Sequence, residues 1–332
     1  MNFFKSIFSN IAFIVLIFTN YFFMKKVFIF ILVICILIIG SLYLFIPNII
    51  QISTSVAIKA TRNGVYRTLA DNDMITKCWP GEIVKDSFYY NNFHYTINKN
   101  NLTVLPISIK NTNTNLTTSL FLSPVDIDST NLQWNAQMVS SYNPYNRFIA
   151  YLKARKLRNN MTTILQNFKR FCSDKTNIYG FEIKNELVVD SLLITTSSMS
   201  KGFPTNQFIY NLVDKLKNYV TLNKANQSGF PMLNIEKIDN QNYFVKVALP
   251  TDKMLESSGD FFQKRMLGRG NILVAELKGG MSISMKAMEQ ILKYGDDYQR
   301  SSPAIPFYSL ISDRLKETDS SKWITKIYYP VM

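Results

Sequence analysis

From Val27 to Ile46 the chain reads VFIFILVICILIIGSLYLFI, twenty residues without a charge. No polar face recurs in it at helical spacing, so it has no side that a soluble helix would turn to water. At 1.5 Å per residue, a helix of this length covers a hydrocarbon core of about 30 Å. Lys25 and Lys26 precede the run and Pro47 closes it. No small-residue cleavage site follows, so an uncleaved transmembrane anchor over 27–46 is expected, not a removed signal. Residues 3–23 form a second apolar run, but Met24-Lys25-Lys26 is a very short hinge for two antiparallel spans. Met24 is itself a candidate start, and the standing of residues 1–23 is left open. The positive-inside bias assigns Lys25 and Lys26 to the cytoplasm. The expected arrangement is a bacterial single-pass membrane protein with its large region periplasmic or extracellular, although Lys59, Arg62 and Arg67 lie soon beyond the span.

The chain's 332 residues leave room for about two domains of ordinary size. Hydrophobic residues make up 47% of the chain, enough for packed cores. There is one histidine, His94, which excludes a multi-histidine metal site. Of the three cysteines, Cys35 lies in the apolar run, so a four-thiolate zinc site is excluded as well. No cofactor or metal is expected, and any catalysis would rest on carboxylates, Tyr or Lys. Cys78 and Cys172 either pair on an oxidising side of the membrane or stay as buried thiols, and their spacing decides neither.

The first expected domain, residues 50–185, holds 16 basic and 8 acidic side chains, a net +8; the second, 186–332, holds 18 and 15, a net +3. The first opens with the alternating run Ile50–Lys59, a half-buried strand. A short helix over 61–70 follows, with Thr61 as N-cap. Strand-like runs come at 88–98, 101–110, 115–123 and 130–140, then one helix from Pro144 to about Cys172. Phe148, Tyr151, Leu152, Met161, Leu165, Phe168 and Cys172 mark that helix's inward face. Its basic residues, Arg147, Lys153, Arg155, Lys156, Arg158, Lys169 and Arg170, form either a solvated face or a rest against anionic headgroups. This order, with Trp79-Pro80 after the first helix and Leu120-Phe-Leu-Ser-Pro-Val-Asp…Leu132-Gln-Trp134 before the last, resembles the START-like, polyketide-cyclase-like (SRPBCC) superfamily. The resemblance implies a sheet curled around the long helix, either enclosing a cavity for a lipid-like or aromatic ligand or filled by its own aromatic residues.

The second domain repeats itself. A strand at 187–197, a helix at 205–221 and strands near 231–238 and 242–249 are followed by a strand at 271–278, a helix at 282–294 and strands near 305–311 and 323–329. Tyr243-Phe-Val-Lys-Val-Ala-Leu-Pro250 and Trp323-Ile-Thr-Lys-Ile-Tyr-Tyr-Pro330 align without a gap. Two β-α-β-β units pair into a pseudo-two-fold antiparallel sheet with helices on one face and a groove on the other. With Asn271-Ile-Leu-Val-Ala-Glu-Leu-Lys-Gly-Gly280 and the terminal Thr318-Asp…Trp323-Ile-Thr-Lys-Ile-Tyr-Tyr-Pro-Val331, this resembles the gyrase-inhibitor-like (GyrI-like) effector-binding domain. The expected fold class is α+β. The resemblance implies reversible binding of small apolar or cationic molecules in the groove. Where that family carries a glutamate on its last strand, this chain has Lys326, and Lys246 in the first repeat.

The ligand-binding residues expected are Tyr243, Lys246, Glu276, Tyr308, Trp323, Lys326 and Tyr328, with the tyrosines and Trp323 as stacking walls. The neighbours of the two lysines leave their facing open. If both face the groove as mates on paired strands, they repel, titrate below the usual value of about 10.4, and favour an anionic or neutral ligand. The expected function is a membrane-anchored, non-catalytic binder of a small amphipathic or aromatic ligand, with no nucleic acid among its partners. A carboxylate-dependent hydrolase or cyclase, using Glu276 with Tyr308, is the alternative, and a structural envelope protein the third reading.

Overall fold

The computed structural model describes residues 25–332 apart from 86, 100, 113, 190 and 267. The apolar run at 3–23 lies outside the described residues. The protein is mixed α and β, with two antiparallel sheets and one apolar N-terminal helix. That helix, α1, covers Lys25–Phe45 with a mean hydropathy of 3.1, and its apolar stretch is exposed until Leu42, which packs against the first core. Among the described residues it is the one helix long and apolar enough to cross a membrane.

The first sheet has seven strands in the order β1-β7-β6-β5-β4-β3-β2. They run over β1 (Ile49–Ile58), β2 (Glu82–Val84), β3 (Ser87–Tyr90), β4 (Phe93–Ile97), β5 (Val104–Asn111), β6 (Thr114–Asp126) and β7 (Ser129–Val139). The run expected as one strand at 88–98 is a hairpin. Asn91 and Asn92 both take positive φ, 49° and 68°, the geometry of a two-residue turn that asparagine tolerates. Helix α2 (Arg62–Ala70) is capped by Thr61, whose hydroxyl accepts from the Gly64 amide, and α3 (Asn72–Thr76) follows. Period-two alternation puts Ile50, Ile52, Val56 and Ile58 of β1 and Leu132, Trp134, Ala136 and Met138 of β7 on one face. Helix α4 (Pro144–Cys172) packs across that face through Leu157, Met161, Ile164, Leu165 and Phe168.

Aromatic side chains occupy much of the space between sheet and helix. Trp79 meets Phe88 and Tyr95 at 5.1 and 5.3 Å between ring centres, and Tyr95 meets Trp134 at 6.0 Å. Asn160 of α4 donates to the Tyr95 hydroxyl at 3.5 Å. The first turns of α4 differ from expectation, since Phe148, Tyr151 and Leu152 are exposed. Arg147 in the same turns is buried, donates through Nε to the Ile46 carbonyl at 2.8 Å, and lies over the Tyr43 ring at the end of α1.

Helix α5 (Lys175–Tyr179) leads to the second sheet, of eight strands in the order β12-β9-β11-β10-β14-β15-β13-β8. Its two β-α-β-β units are β9 (Ser191–Lys201), α6 (Asn206–Leu222), β10 (Met232–Lys237), β11 (Asn242–Thr251), and β13 (Asn271–Lys278), α7 (Met281–Asp297), β14 (Phe307–Leu310), β15 (Ile324–Val331). Edge strands β8 (Lys184–Leu187) and β12 (Phe262–Met266) extend it symmetrically. The units meet through β10 and β14, not through β11 and β15 as the expected lysine pairing required.

Two short links curl this sheet. Met266 and Asn271 end strands that are first and seventh in order. In a flat sheet they would stand roughly 29 Å apart, six spacings of about 4.8 Å. Five residue steps reach at most about 18 Å. Leu187 and Ser191 face the same mismatch with four steps, about 14 Å. The sheet therefore bends until its ends approach. The two links run side by side, with Val188 N donating to Gly270 O at 2.7 Å and Arg269 N to Val188 O at 3.0 Å.

Candidate ligand-binding site

The bend leaves a cavity of about 890 Å³ on the face of the second sheet away from α6 and α7. Strand parity assigns the faces. In β15 the buried Thr325, Ile327 and Tyr329 alternate with the part-exposed Lys326 and Tyr328. The Tyr329 ring reaches the position that a Cβ on Gly295 of α7 would take, so the odd residues face the helix. In β11, Val245, Val247 and Leu249 are buried while Lys246 and Ala248 face the other way, into the cavity lining. Leu193, Thr195 and Ser197 of β9, with Met232 and Asn234 of β10, complete the floor. Phe262, Lys264 and Met266 of β12 form one wall, and Ile305 and Phe307 form another. At the bend, Val188, Gly270 and Asn271 close one end. A cavity of this volume is in the range for drug-sized ligands.

The lining is mainly apolar, and its charged side chains are Lys246, Lys264 and Arg265. Among the described lining residues there is no aspartate or glutamate.

The expected site residues divide between the two faces. Lys246 lines the cavity. Tyr328 stands on the same face of the sheet, stacked on the cavity residue Phe307 at 5.0 Å. Lys326 and Glu276 are also on that face, outside the lining, as directly opposed residues of β15 and β13 with 3.3 Å between their charged groups. Tyr243, Tyr308 and Trp323 lie on the helix side. Tyr243 shares the parity of Val245 and packs edge-on against Phe203. Tyr308 stands opposite Leu233 and Ile327, both fully buried. Burial pushes its hydroxyl up to about 12, and the charge of Glu289 adds to this. Trp323 lies under the Arg314 guanidinium at 4.9 Å and donates to the Glu317 carbonyl at 2.8 Å. Glu276 and Tyr308 therefore occupy opposite faces of one sheet and cannot act together on one substrate.

The expected mutual repulsion of the two lysines is corrected. β11 and β15 are separated by β10 and β14, three spacings or roughly 14 Å. Each lysine meets an acid, Lys246 with Glu236 at 3.8 Å and Lys326 with Glu276. The hydrogen bond that Lys326 donates to Glu276, followed by the charge of Tyr328, moves Lys326 above its ordinary value, the reverse of the expected direction. Sequence reasoning missed the floor residues Ser197, Met232 and Asn234, the wall residue Phe307, and the whole of β12. In β12, Phe-Gln-Lys-Arg-Met carries three polar residues in a row and no apolar–polar alternation, and nothing local tells which strand it joins.

No protein-family model matches the chain, and no curated protein matches it. Among solved structures, it is similar to an EcmrR–DNA complex seen by cryo-electron microscopy, at 13% identity over 56% of this chain and 71% of that one, TM-score 0.42. It is also similar to the crystal structure of the EcmrR C-terminal domain, at 14% identity over 46% and 98%, TM-score 0.38. A third is SAV2435 bound to tetraphenylphosphonium, at 17% identity over 46% and 94%, TM-score 0.32. The exclusion of nucleic acid from the partners is corrected by the first of these, a protein solved on DNA.

Proposed function

We propose that this chain is a small-molecule-binding protein whose second half, residues 186–332, is a GyrI-like effector-binding domain that takes its ligand in the cavity of the curled sheet. The observation that carries the reading is that cavity, about 890 Å³, walled by apolar side chains with a few polar groups among them. A START-like domain over residues 50–185 is supported by the order of its strands and the long helix packed across one face of their sheet. The aromatic packing there supports a filled core, so the ligand is assigned to the second half. Helix α1 anchors both domains to a membrane as a single span, with the large region on the side away from Lys25 and Lys26. The function is binding and not catalysis, a reading supported by the separation of Glu276 and Tyr308 on opposite faces.

The test uses the full chain in lipid nanodiscs, titrated calorimetrically with 2-naphthylmethanol against a blank of empty discs. Binding is expected in the wild type and is lost in Ala248→Trp, which places an indole on the cavity floor. Equal binding in both proteins refutes the cavity as the site.

A further inference from the structure

The two repeats are equivalent strand for strand, and they differ where the cavity lies. Lys326 stands opposite Glu276 on one side and Ser309 on the other. Lys246 stands opposite Ser197 and Asn234. The second repeat therefore has a carboxylate directly across from its lysine, and the first has a hydroxyl at that place. The acid that meets Lys246 is Glu236, two residues beyond the facing Asn234, at 3.8 Å, largely exposed and outside the lining. The lysine with a facing carboxylate is outside the cavity, and the lysine without one lines it. Lys264 adds a second cation from β12, between Phe262 and Met266 on the strand face that carries Leu193 and Thr195 of β9.

We infer that the cavity selects an anionic amphiphile: an apolar body against Met232, Phe262 and Phe307, and an anionic head on Lys246 with Ser197 and Asn234 beside it. This rests on the cavity reading above and adds the ligand class. An anion in an apolar enclosure needs charge-assisted donors, which Lys246 and Lys264 supply. An organic cation in the same place loses its hydration and finds no aspartate or glutamate side chain among the described lining residues.

Three probes with one ring system and different heads decide it: 2-naphthoate, 2-naphthylmethanol and (2-naphthylmethyl)trimethylammonium. Each is titrated calorimetrically into the full chain in zwitterionic nanodiscs. The naphthoate is expected to bind at least tenfold more tightly than the ammonium, about 1.4 kcal/mol. In Lys246→Met most of that preference disappears while 2-naphthylmethanol binds within about twofold of wild type. Lys326→Met, whose lysine is already matched by Glu276, keeps the preference. Ammonium binding as tight as naphthoate overturns the inference and leaves the cavity reading in place if 2-naphthylmethanol still binds. A preference that survives in the Lys246→Met/Lys264→Met double variant, or is lost in Lys326→Met, also overturns it, because the selection then comes from Arg265 or from general surface charge and not from the two lysines. Failure of all three probes to bind overturns the cavity reading and the inference with it.

Discussion

Arg67 of α2 and Asp297 of α7 tie the two halves of the chain together, and their removal should have unequal costs. Arg67 Nη1 donates to Asp297 Oδ1 at 3.0 Å, and Nη2 donates to the second carboxylate oxygen, which also accepts from the Tyr179 hydroxyl at 2.7 Å. The Asp297 side chain is 3% exposed and that of Arg67 29%. Unit charges about 4 Å apart attract by about 4 kcal/mol at an effective dielectric of 20, and removing one partner of a buried pair costs about 3–5 kcal/mol. In Arg67→Ala the carboxylate stays enclosed with a single hydroxyl donor, so the lower end, about 3 kcal/mol, is expected after allowance for the partial exposure of Arg67. In Asp297→Ala the guanidinium can turn toward water, and about 1–2 kcal/mol is expected. The double variant has no orphaned carboxylate and should be more stable than Arg67→Ala alone. Urea denaturation of the full chain in nanodiscs, followed by tryptophan fluorescence, measures all three. Trp79 and Trp134 report on the first sheet and Trp323 on the second, so loss of the junction should separate two transitions that coincide in the wild type. Equal costs below about 0.5 kcal/mol for both single variants would refute the reasoning, since exposed pairs behave that way.

Gly81→Ala should destabilise the first sheet by more than about 2 kcal/mol, because an added Cβ would lie 1.9 Å from the Tyr89 carbonyl oxygen. An unchanged urea midpoint would contradict that geometry. Glu276→Gln should change stability by less than about 1 kcal/mol at neutral pH, since both side chains of its pair with Lys326 are partly exposed. The folded value of Lys326 is raised, so its contribution is present at neutral pH and fades as pH climbs past the ordinary lysine value of 10.5. Stability profiles of wild type and Glu276→Gln should converge there, and a gap that widens with alkalinity would reverse the sign. Burial pushes the Cys172 thiol up to about 11 and also raises Cys78, which Cys172 raises further. Both are free and buried, so an aromatic disulfide reagent at pH 8 should modify them only after unfolding. Rapid reaction of either in the native chain would show that the region opens.

What the sequence determined by itself was local and periodic. The charge-free run at 27–46 required a helix with no polar face, and α1 covers Lys25–Phe45. The eighty-residue echo ending in Pro250 and Pro330 placed strands β11 and β15 in matching register, since period-two and period-3.6 patterns lie within one element. What depends on contacts between distant residues was decided only by the tertiary structure. The facing of Lys246 and Lys326 was undetermined because both neighbours of each are apolar or small, and only packing of α6 and α7 on the odd positions turned the lysines to the other face. That same packing took Tyr243, Tyr308 and Trp323 to the helix side. The choice of β10 and β14 as the central pair separated the two lysines, and the shortness of the chain between Leu187 and Ser191 and between Met266 and Asn271 bent the sheet into a cavity. The Arg67–Asp297 junction joins residues 230 positions apart, beyond any periodicity. A side chain's face within a strand follows from the pattern when apolar and polar residues alternate. When they do not, only the neighbouring layer can assign it.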